Sequence, residues 1–472
     1  MGFLIGYPEK GKSIPSMKIK PLPYQIRSIK QIEAFGGRCL LANEMGLGKT
    51  LTSLWWWKRY AKADRGLIIC PASAKYVWEH EALNNLGVHP YVIEGTKVTP
   101  LKLTGAKPKL VIVNYDVLHQ WMEPLRKFGF RSLFIDECQF CKNPTAKRTK
   151  AVRLLSKGIS NMIAISGTPL TNRPIELFPI LQMLWPSIFP SQLAYAHEYC
   201  RPRWTPWGWK YDGACRIPEL HDLLKQIGMV RYLKKDVLPE LPEKTRRVLL
   251  LALSDKTEYQ EASNSFISWI GKRNPARLQK AEKAEALVRL GELKRLAARL
   301  KLRAVVDWAN EWLASYPDEK LVLFAVHRKM IEALARRIRA KSIVIDGSIS
   351  GRKRKAAVEQ FRLNRATRLC IGNIKAAGVA ISLTAASTVA FCELDWVPAN
   401  MTQAEDRIHR IGQMKPSWIW WLIAAGTIEE DLCKILEKKQ QIVSGILDGK
   451  DADDDLNVYS QLLAKYLQRG EE

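Results

Sequence analysis

The chain has 472 residues, 47% of them apolar, which is ample for more than one packed core and too apolar for a disordered polymer. Its 74 Lys and Arg against 47 Asp and Glu leave a net charge of +27, an excess that repels itself unless a polyanion is the working partner; nucleic acid is the first candidate, with basicity for solubility alone as the plainer alternative. Nine cysteines without framework spacing argue against a disulfide-stapled secreted domain. The apolar run Trp418 to Gly426 falls far short of the ~20 residues that cross a bilayer. Met1 to Tyr7 has neither a basic signal region nor a lipidation pattern. The expectation is a soluble, cytoplasmic protein, nuclear if its source is eukaryotic.

From Arg38 to Phe178, short β-branched apolar runs alternate with longer amphipathic stretches: Cys39 to Ala42, Leu67 to Cys70, Leu110 to Val113, Leu133 to Ile135 and Met162 to Ile165. That alternation is the mark of βαβ units. Runs apolar at every position suit parallel strands covered on both faces, with functional loops at their carboxyl ends. Between Leu181 and Lys244 the alternation stops. Trp204, Trp207 and Trp209, with Pro202 and Pro206, precede a helical pattern through Leu224, and the stretch reads as an insertion.

Ser254 to Arg303 is helix-rich and dense in Lys272, Arg273, Arg277, Lys280, Lys283, Arg289, Lys294, Arg295, Arg299 and Lys301. It reads equally as a DNA-facing prong or as a solvated helical face. The alternation then resumes at Leu321 to Val326, Ser342 to Ile345, Leu369 to Gly372, Thr388 to Cys392 and Ile419 to Ile423. The expected fold is therefore α/β, with two tandem parallel-sheet lobes and helical insertions. The N-terminal lobe takes 1–245, with its insertion at about 181–235; a linker and helical protrusion take 246–305. The C-terminal lobe takes 306–447, and an acidic segment with a helical tail takes 448–472.

The strand ending at Ala42 runs into Asn43-Glu-Met-Gly-Leu-Gly-Lys-Thr50. Here Gly46, Leu47 and Gly48 bring backbone amides and a helix N-terminus to face phosphate oxygens. In such a P-loop Lys49 meets the β- and γ-phosphates and the Thr50 hydroxyl ligates Mg²⁺. Asn43 departs from the usual glycine. The strand Leu133 to Ile135 ends in Asp136-Glu137, two carboxylates at the sheet's carboxyl edge: Asp136 to hold Mg²⁺, Glu137 to orient and deprotonate the attacking water. Far downstream, Gln403-Ala-Glu-Asp-Arg407-Ile-His-Arg410-Ile-Gly-Gln413 puts Arg407 and Arg410 at i, i+3 on one helical face, able to reach one target together. Guanidiniums delivered from a separate lobe make hydrolysis conditional on closure. Cys138 and Cys141 have metal-like spacing without a second pair, and Trp55 to Trp57 read as packing.

With these sites in order, the chain resembles the Swi/Snf family of DNA translocases within helicase superfamily two, over about Pro21 to Gly445. The resemblance implies two RecA-like lobes closing on ATP and Mg²⁺. Leu22-Pro-Tyr-Gln25 is similar to the adenine-reading entry motif, with Gln25 the base contact. Cys70-Pro-Ala-Ser73 and Asn114-Tyr-Asp116 are similar to strand-tracking motifs, which puts Pro71 and Tyr115 at DNA. Ser166-Gly-Thr-Pro169 resembles the coupling motif III. Ala377-Gly378, Leu383-Thr-Ala385 and Asp395-Trp-Val-Pro398 resemble motif V and its extension, which puts Gly378 at the nucleotide and Thr384 and Trp396 at DNA. Gln403 belongs to motif VI and the nucleotide. Lys142, Asn143, and Arg352 and Lys353 of the cluster Arg352 to Lys355 complete the expected phosphate contacts.

Ser166 to Leu177, Gly208-Trp-Lys-Tyr-Asp-Gly-Ala214 and Met229 to Leu238 resemble the annealing-helicase (HARP-like) branch, and no chromatin-reading, accessory recognition or nuclease module is visible. A bare motor of phage or bacterial type is expected. The expectation is a monomeric, ATP-dependent translocase on duplex or branched DNA that remodels DNA or protein–DNA complexes, with strand annealing or fork remodelling as the implied task. Two rivals stay open: an RNA or strand-separating helicase, and an ATP-gated DNA-binding scaffold without turnover, the latter motivated by Asn43 and by Gln139 where the family usually has His.

Overall fold

The computed structural model describes residues 20–61, 64–98, 109–171, 173–205, 208–211, 213–264, 285–347, 349, 351–377 and 381–449. The expected signal-free start, the basic residues Lys272 to Lys283, Pro206, Trp207, Gly378 and the acidic tail from residue 450 lie outside the described residues.

The first sheet has the order β3-β4-β2-β5-β6-β1-β9, built from β1 (Arg38–Leu41), β2 (Gly66–Cys70), β3 (Tyr91–Val92), β4 (Leu110–Asn114), β5 (Ser132–Asp136), β6 (Asn161–Ile165) and β9 (Met229–Val230). Every pairing in it is parallel. Leu40, Leu67, Val111, Leu133 and Met162 enter one core, and Cys39, Ile68, Ile112, Phe134 and Ile163 enter the core on the opposite face. Burial on both sides is why these strands read as unbroken apolar runs. Between β6 and β9 stands a small antiparallel hairpin, β7 (Arg203–Thr205) with β8 (Gly208–Lys210).

The second sheet has the order β10-β15-β14-β11-β13-β12, from β10 (Lys244–Leu251), β11 (Leu321–Ala325), β12 (Ser342–Ile345), β13 (Leu369–Asn373), β14 (Thr388–Phe391) and β15 (Ser417–Ala424). It repeats the two-faced pattern, with Val322, Phe324, Cys370 and Val389 to one side and Leu321, Leu323, Leu369 and Ala390 to the other. The fold is thus α/β, with two tandem parallel-sheet lobes.

Two stretches differ from the sequence reading. Lys244–Leu251, placed at the lobe boundary and in the linker, is a strand of the second sheet, parallel to β15 along its whole length. It was hidden because it lies at the sheet edge: Thr245, Arg246, Arg247 and Val248 are exposed, and the run opens on cations. The basic helix Glu285–Ser315 is neither a prong nor a solvated face where Arg289, Lys294 and Lys301 are concerned, because all three are buried. Arg289 donates to the Ser263 carbonyl, Lys294 lies over the Trp396 ring, and Lys301 donates to Glu429 and to the Leu422 carbonyl. A helix that carries charge on its packed face hides its amphipathicity.

The last helix, Ile428–Asp448, begins in the second lobe and ends in the first. Its final turns insert Ile442, Val443, Ile446 and Leu447 into the same core as Leu220 and Leu224 of the helix Ile217–Ile227. His221 Nδ1 bonds the Ile446 carbonyl at 2.9 Å, and Arg231 Nε pairs with Asp448. Among the described residues, no helix is long and apolar enough to cross a membrane.

Lys301 and Glu429 are both 0% exposed, so removing one partner strands the other's charge in the core. Lys301→Met should cost about 3–5 kcal/mol, and the double variant Lys301→Met/Glu429→Leu should recover most of it. Chemical denaturation of the three proteins measures this; a double variant no more stable than the single one would contradict it.

Candidate nucleotide site between the lobes

The P-loop joins β1 to the helix Lys49–Arg59. Gly46 and Gly48 adopt φ of +83° and +69°, where an L side chain is strained. Space forbids one too: a Cβ on Gly48 would lie 2.5 Å from Gln25 Nε2, and one on Gly46 would lie 2.9 Å from Arg410 Cβ of the other lobe. Leu47 is buried with Tyr24 and Leu238, and its carbonyl accepts from the Tyr24 hydroxyl and from Gln25 Nε2. Gln25 is 4% exposed and also accepts the Leu22 amide, so it braces the loop as well as bordering it. Asn43, the departure from glycine, is a tie: its Nδ2 donates to Ser28 and its Oδ1 accepts the Tyr232 amide. Lys49 Nζ donates to the carbonyls of Asn43 and Glu44. Burial brings its pKa down to about 8, with Glu137 and Asp136 pulling the other way. Thr50 is half-buried on the first turn of the helix.

The carboxylates stand at the end of β5. Asp136 accepts from Trp78 Nε1 at 2.7 Å and from the Glu137 amide at 3.0 Å. Burial, and next the neighbouring Glu137 charge, raise its pKa to about 7. Glu137 holds φ +49°, a left-handed conformation unusual outside glycine. That twist presents its carboxylate to two amides. Gln139 Nε2 donates to Oε2 at 2.6 Å, and Gln403 Nε2, from the second lobe, donates to Oε1 at 3.2 Å. Gln139, where the family usually carries His, thus directly engages the carboxylate.

Arg407 and Arg410 follow the helix Pro398–Glu405 on irregular turns, so the expected single helical face is replaced by consecutive turns. The outcome is still convergence: both NH1 groups donate to the Ile381 carbonyl at 3.2 Å. Burial and then the adjacent Arg410 charge lower Arg407 to about 10, with Glu137 acting in the opposite direction. Arg410 also reaches the first lobe electrically, offsetting the burial that raises Glu81.

Sequence reasoning missed the residue that fastens the seam. Lys234, in the first lobe and 3% exposed, donates to Asp406 Oδ1 at 2.7 Å and to the His409 carbonyl at 2.6 Å. Its own amide donates to Glu44 Oε2 in the P-loop at 2.7 Å. Lys244 and Arg246 hold the neighbouring Glu405. Nothing in spacing singles out one lysine in Lys234-Lys235.

The expected DNA contacts separate into groups. Tyr115 is corrected: it is 2% exposed, stacked on Phe140, and its hydroxyl donates to the Asp136 carbonyl, so it supports the carboxylate loop from beneath. Pro71 is corrected on the same ground: it is buried just past β2 and has no exposed face to offer DNA. Lys142 pairs with Glu176 and Thr171, and Asn143 accepts from Thr145 on an exposed turn. Thr384 and Trp396 are half-buried, Trp396 beneath the Lys294 ammonium. Lys353 is exposed, and its neighbour Lys355 acts across the cleft on His80, whose pKa burial and then this charge lower. Arg352 lies on the helix Gly351–Leu363. Cys138 and Cys141 are buried, and among the described residues no cluster of three or more metal-ligating side chains occurs. A cavity of about 460 Å³ lies behind Glu405, between Arg246, Trp421 and Gln440, and none of the P-loop lines it.

Two parallel sheets, one carrying a P-loop and a carboxylate pair and the other meeting them with paired arginines, define a two-lobed P-loop protein. The chain belongs to the SNF2-related family: it matches the SNF2-related domain over residues 24–306 and the helicase conserved C-terminal domain over residues 302–412. It is 32% identical over 436 residues to the Bos taurus SWI/SNF-related matrix-associated actin-dependent regulator of chromatin subfamily A-like protein 1, covering 89% of this chain and 44% of that protein. It is 32% identical over 452 residues to the Mus musculus DNA annealing helicase and endonuclease ZRANB3, covering 92% of this chain and 41% of that one. The chain thus spans less than half the length of these relatives. A Sulfolobus solfataricus SWI2/SNF2 ATPase core in complex with dsDNA aligns at 23% identity and a TM-score of 0.43, over 91% of this chain and 94% of that one. The Swi/Snf resemblance, with its annealing-helicase branch, is borne out by the two family matches and by the bovine and mouse relatives.

Burial alone would raise Asp406, but Lys234 and then Lys244 outweigh it and hold the carboxyl below its ordinary range. A depressed carboxyl adds stability above its unfolded pKa of about 3.9 and loses it as pH falls through the folded value. Lys234→Met should therefore be less stable than the parent near neutrality, and should lose less stability on acidification toward pH 3. Thermal melts across that range test this; parallel profiles for the two proteins would refute it.

Proposed function

We propose that the chain is a DNA-dependent ATPase that translocates on double-stranded DNA and remodels DNA or protein–DNA complexes, branched DNA included. The observation that carries this reading is the pair of amides on Glu137, one from each lobe. Glu137 is held to orient and deprotonate a water only when both lobes contribute, so turnover is tied to closure. The P-loop glycines supply the anion cradle, Lys49 the charge toward the phosphates, and Arg407 and Arg410 the charge stabilisation from the facing lobe. Gln25, at the P-loop's edge, and Gly378 and Gln403, from the second lobe, are assigned to the nucleotide.

The donor set also fits Mg²⁺: a hydroxyl at Thr50 and a carboxylate at Asp136 are hard oxygen ligands, and Asp136 beside Glu137 is a concentration of negative charge that a divalent cation offsets. Thr50 and Asp136 would hold the ion, which neutralises phosphate charge when bound.

Phosphate contacts are assigned to Lys142, Asn143, Arg352, Lys353 and Thr384, on both sides of the cleft, with Trp396 bordering the path. Such contacts carry no sequence information, and alternating grip between lobes converts closure into movement along one strand. The SNF2-related family match and relatives named as a DNA annealing helicase and as a chromatin regulator support DNA as the substrate. Because Asn43 ties the loop and Gln139 engages Glu137, both departures are compatible with turnover, which favours a motor over an ATP-gated scaffold. The chain is proposed to act as a monomer, wherever its cell keeps DNA.

Phosphate release measured with duplex, forked DNA, single strands and RNA tests the assignment; the expected result is stimulation by duplex-containing DNA, and stimulation by RNA or single strands alone would transfer it to the strand-separating helicases. Glu137→Gln should keep DNA affinity while turnover falls by about 10²-fold or more; unchanged turnover would remove Glu137 from its role. DNA affinity should also drop steeply with salt, by about 10³-fold or more between 50 and 200 mM if six or more phosphates are neutralised, and a flat salt profile would contradict the phosphate-contact assignment.

A further inference from the structure

The hairpin β7–β8 has no part in the nucleotide site, yet its surface stands apart among the described residues. Of the sixteen tryptophans in the chain, the exposed ones among the described residues are Trp204 at 68% and Trp209 at 51%, and both stand on this hairpin. They are cross-strand partners, with rings 5.5 Å apart and edge to face at 75°. The neighbouring cross-strand pair is Arg203 with Lys210. From Cys200 to Tyr211 the sequence holds three cations, Arg201, Arg203 and Lys210, and no carboxylate.

The hairpin is also firmly mounted. Trp209 and Tyr211 each pack a ring edge against His197 at 5.8 and 5.7 Å, on the helix Gln192–Tyr199. The other face of that helix is core: Tyr195 packs on Phe178 and Phe189, and its hydroxyl donates to the Pro174 carbonyl at 2.9 Å. Pro174 begins the short turn that carries Glu176, the partner of Lys142. The chain closes the hairpin's base through the Cys215 amide on the Tyr199 carbonyl. An exposed aromatic pair held against a packed helix has less conformational entropy to lose on binding than side chains on a free loop.

We propose that this hairpin is a base-stacking element that engages unpaired bases where branched DNA opens, beside the duplex held by the lobes. Indole faces stack on base faces irrespective of sequence, and flanking cations attract the adjacent phosphates. Inside a duplex every base face is covered by its stacked neighbours, so away from its ends an intact duplex offers Trp204 nothing to stack on, whereas the unpaired bases of a fork do. The inference rests on the DNA-motor reading and names the DNA structure that the same protein prefers.

The test uses the full chain and its Trp204→Ala and Trp204→Phe variants, binding a labelled blunt duplex and the same duplex ending in an unpaired fork that carries 2-aminopurine at the first unpaired position. Trp204→Ala should bind the fork about tenfold more weakly, as expected for one lost base stack, while affinity for blunt duplex and duplex-stimulated turnover stay within about twofold of the parent on the same grounds. Trp204→Phe should restore fork binding, and 2-aminopurine quenching should appear with the parent and the Phe variant only. Fork affinity unchanged in Trp204→Ala, or lost in equal measure on fork and duplex, would overturn the proposal and give the surface to a protein partner or to structure alone. A parent protein whose turnover no DNA stimulates would sink the motor reading, while the fork-binding comparison would still decide the role of the hairpin.

Discussion

The structure depends on one buried ammonium. Lys234 leaves the first lobe just after its last strand and ends between Asp406 and the His409 carbonyl of the second, while its backbone holds Glu44 of the P-loop. An ion pair this dry repays its desolvation only when its geometry is good and the remaining valences are satisfied. It therefore penalises misalignment more than it rewards contact, and so sets register. With Lys234 in place, Gln403 meets Glu137, and the turns bearing Arg407 and Arg410 lie against the P-loop.

Around that seam charged groups correct what burial would do alone, within a lobe for Lys49 with Asp136 and for Lys244 and Arg246 with Glu405, and across the lobes for Lys234 with Asp406. Burial lowers Lys49 and raises Asp136, and each group's charge draws the other back. Burial would also neutralise Glu405 and Asp406, and Lys244, Arg246 and Lys234 prevent it. Arg231 extends the same logic behind the loop, with NH1 donating to the carbonyls of Ala42 and Gly167, the ends of β1 and β6, while Nε holds Asp448.

Most of this was legible in the sequence where the chemistry is local. Strands buried on both faces announce themselves, and so do a glycine-rich loop after a strand and a carboxylate pair at a strand's end. What escaped was whatever depends on distant partners. Lys244–Leu251 is a strand because β15 lies beside it, although its own exposed cations read as linker. Lys301 is in the core because Glu429 meets it, although its basic neighbours read as surface. Tyr115 supports Asp136 from below because the sheet turns it inward, which a motif cannot specify. Lys234 carries no local mark at all; its meaning lies in a residue 172 positions away.

The final helix has a mechanical consequence. The lobes are joined covalently by the stretch between Val230 and Lys244, and a second time by the turns of Ile428–Asp448 that sink into the first lobe's core. Two bodies fastened at two places cannot drift apart freely. Their relative freedom shrinks toward swivelling about the line through both attachments, unless the helix end lets go, so the second fastening restricts a hinge of many directions to nearly a single one.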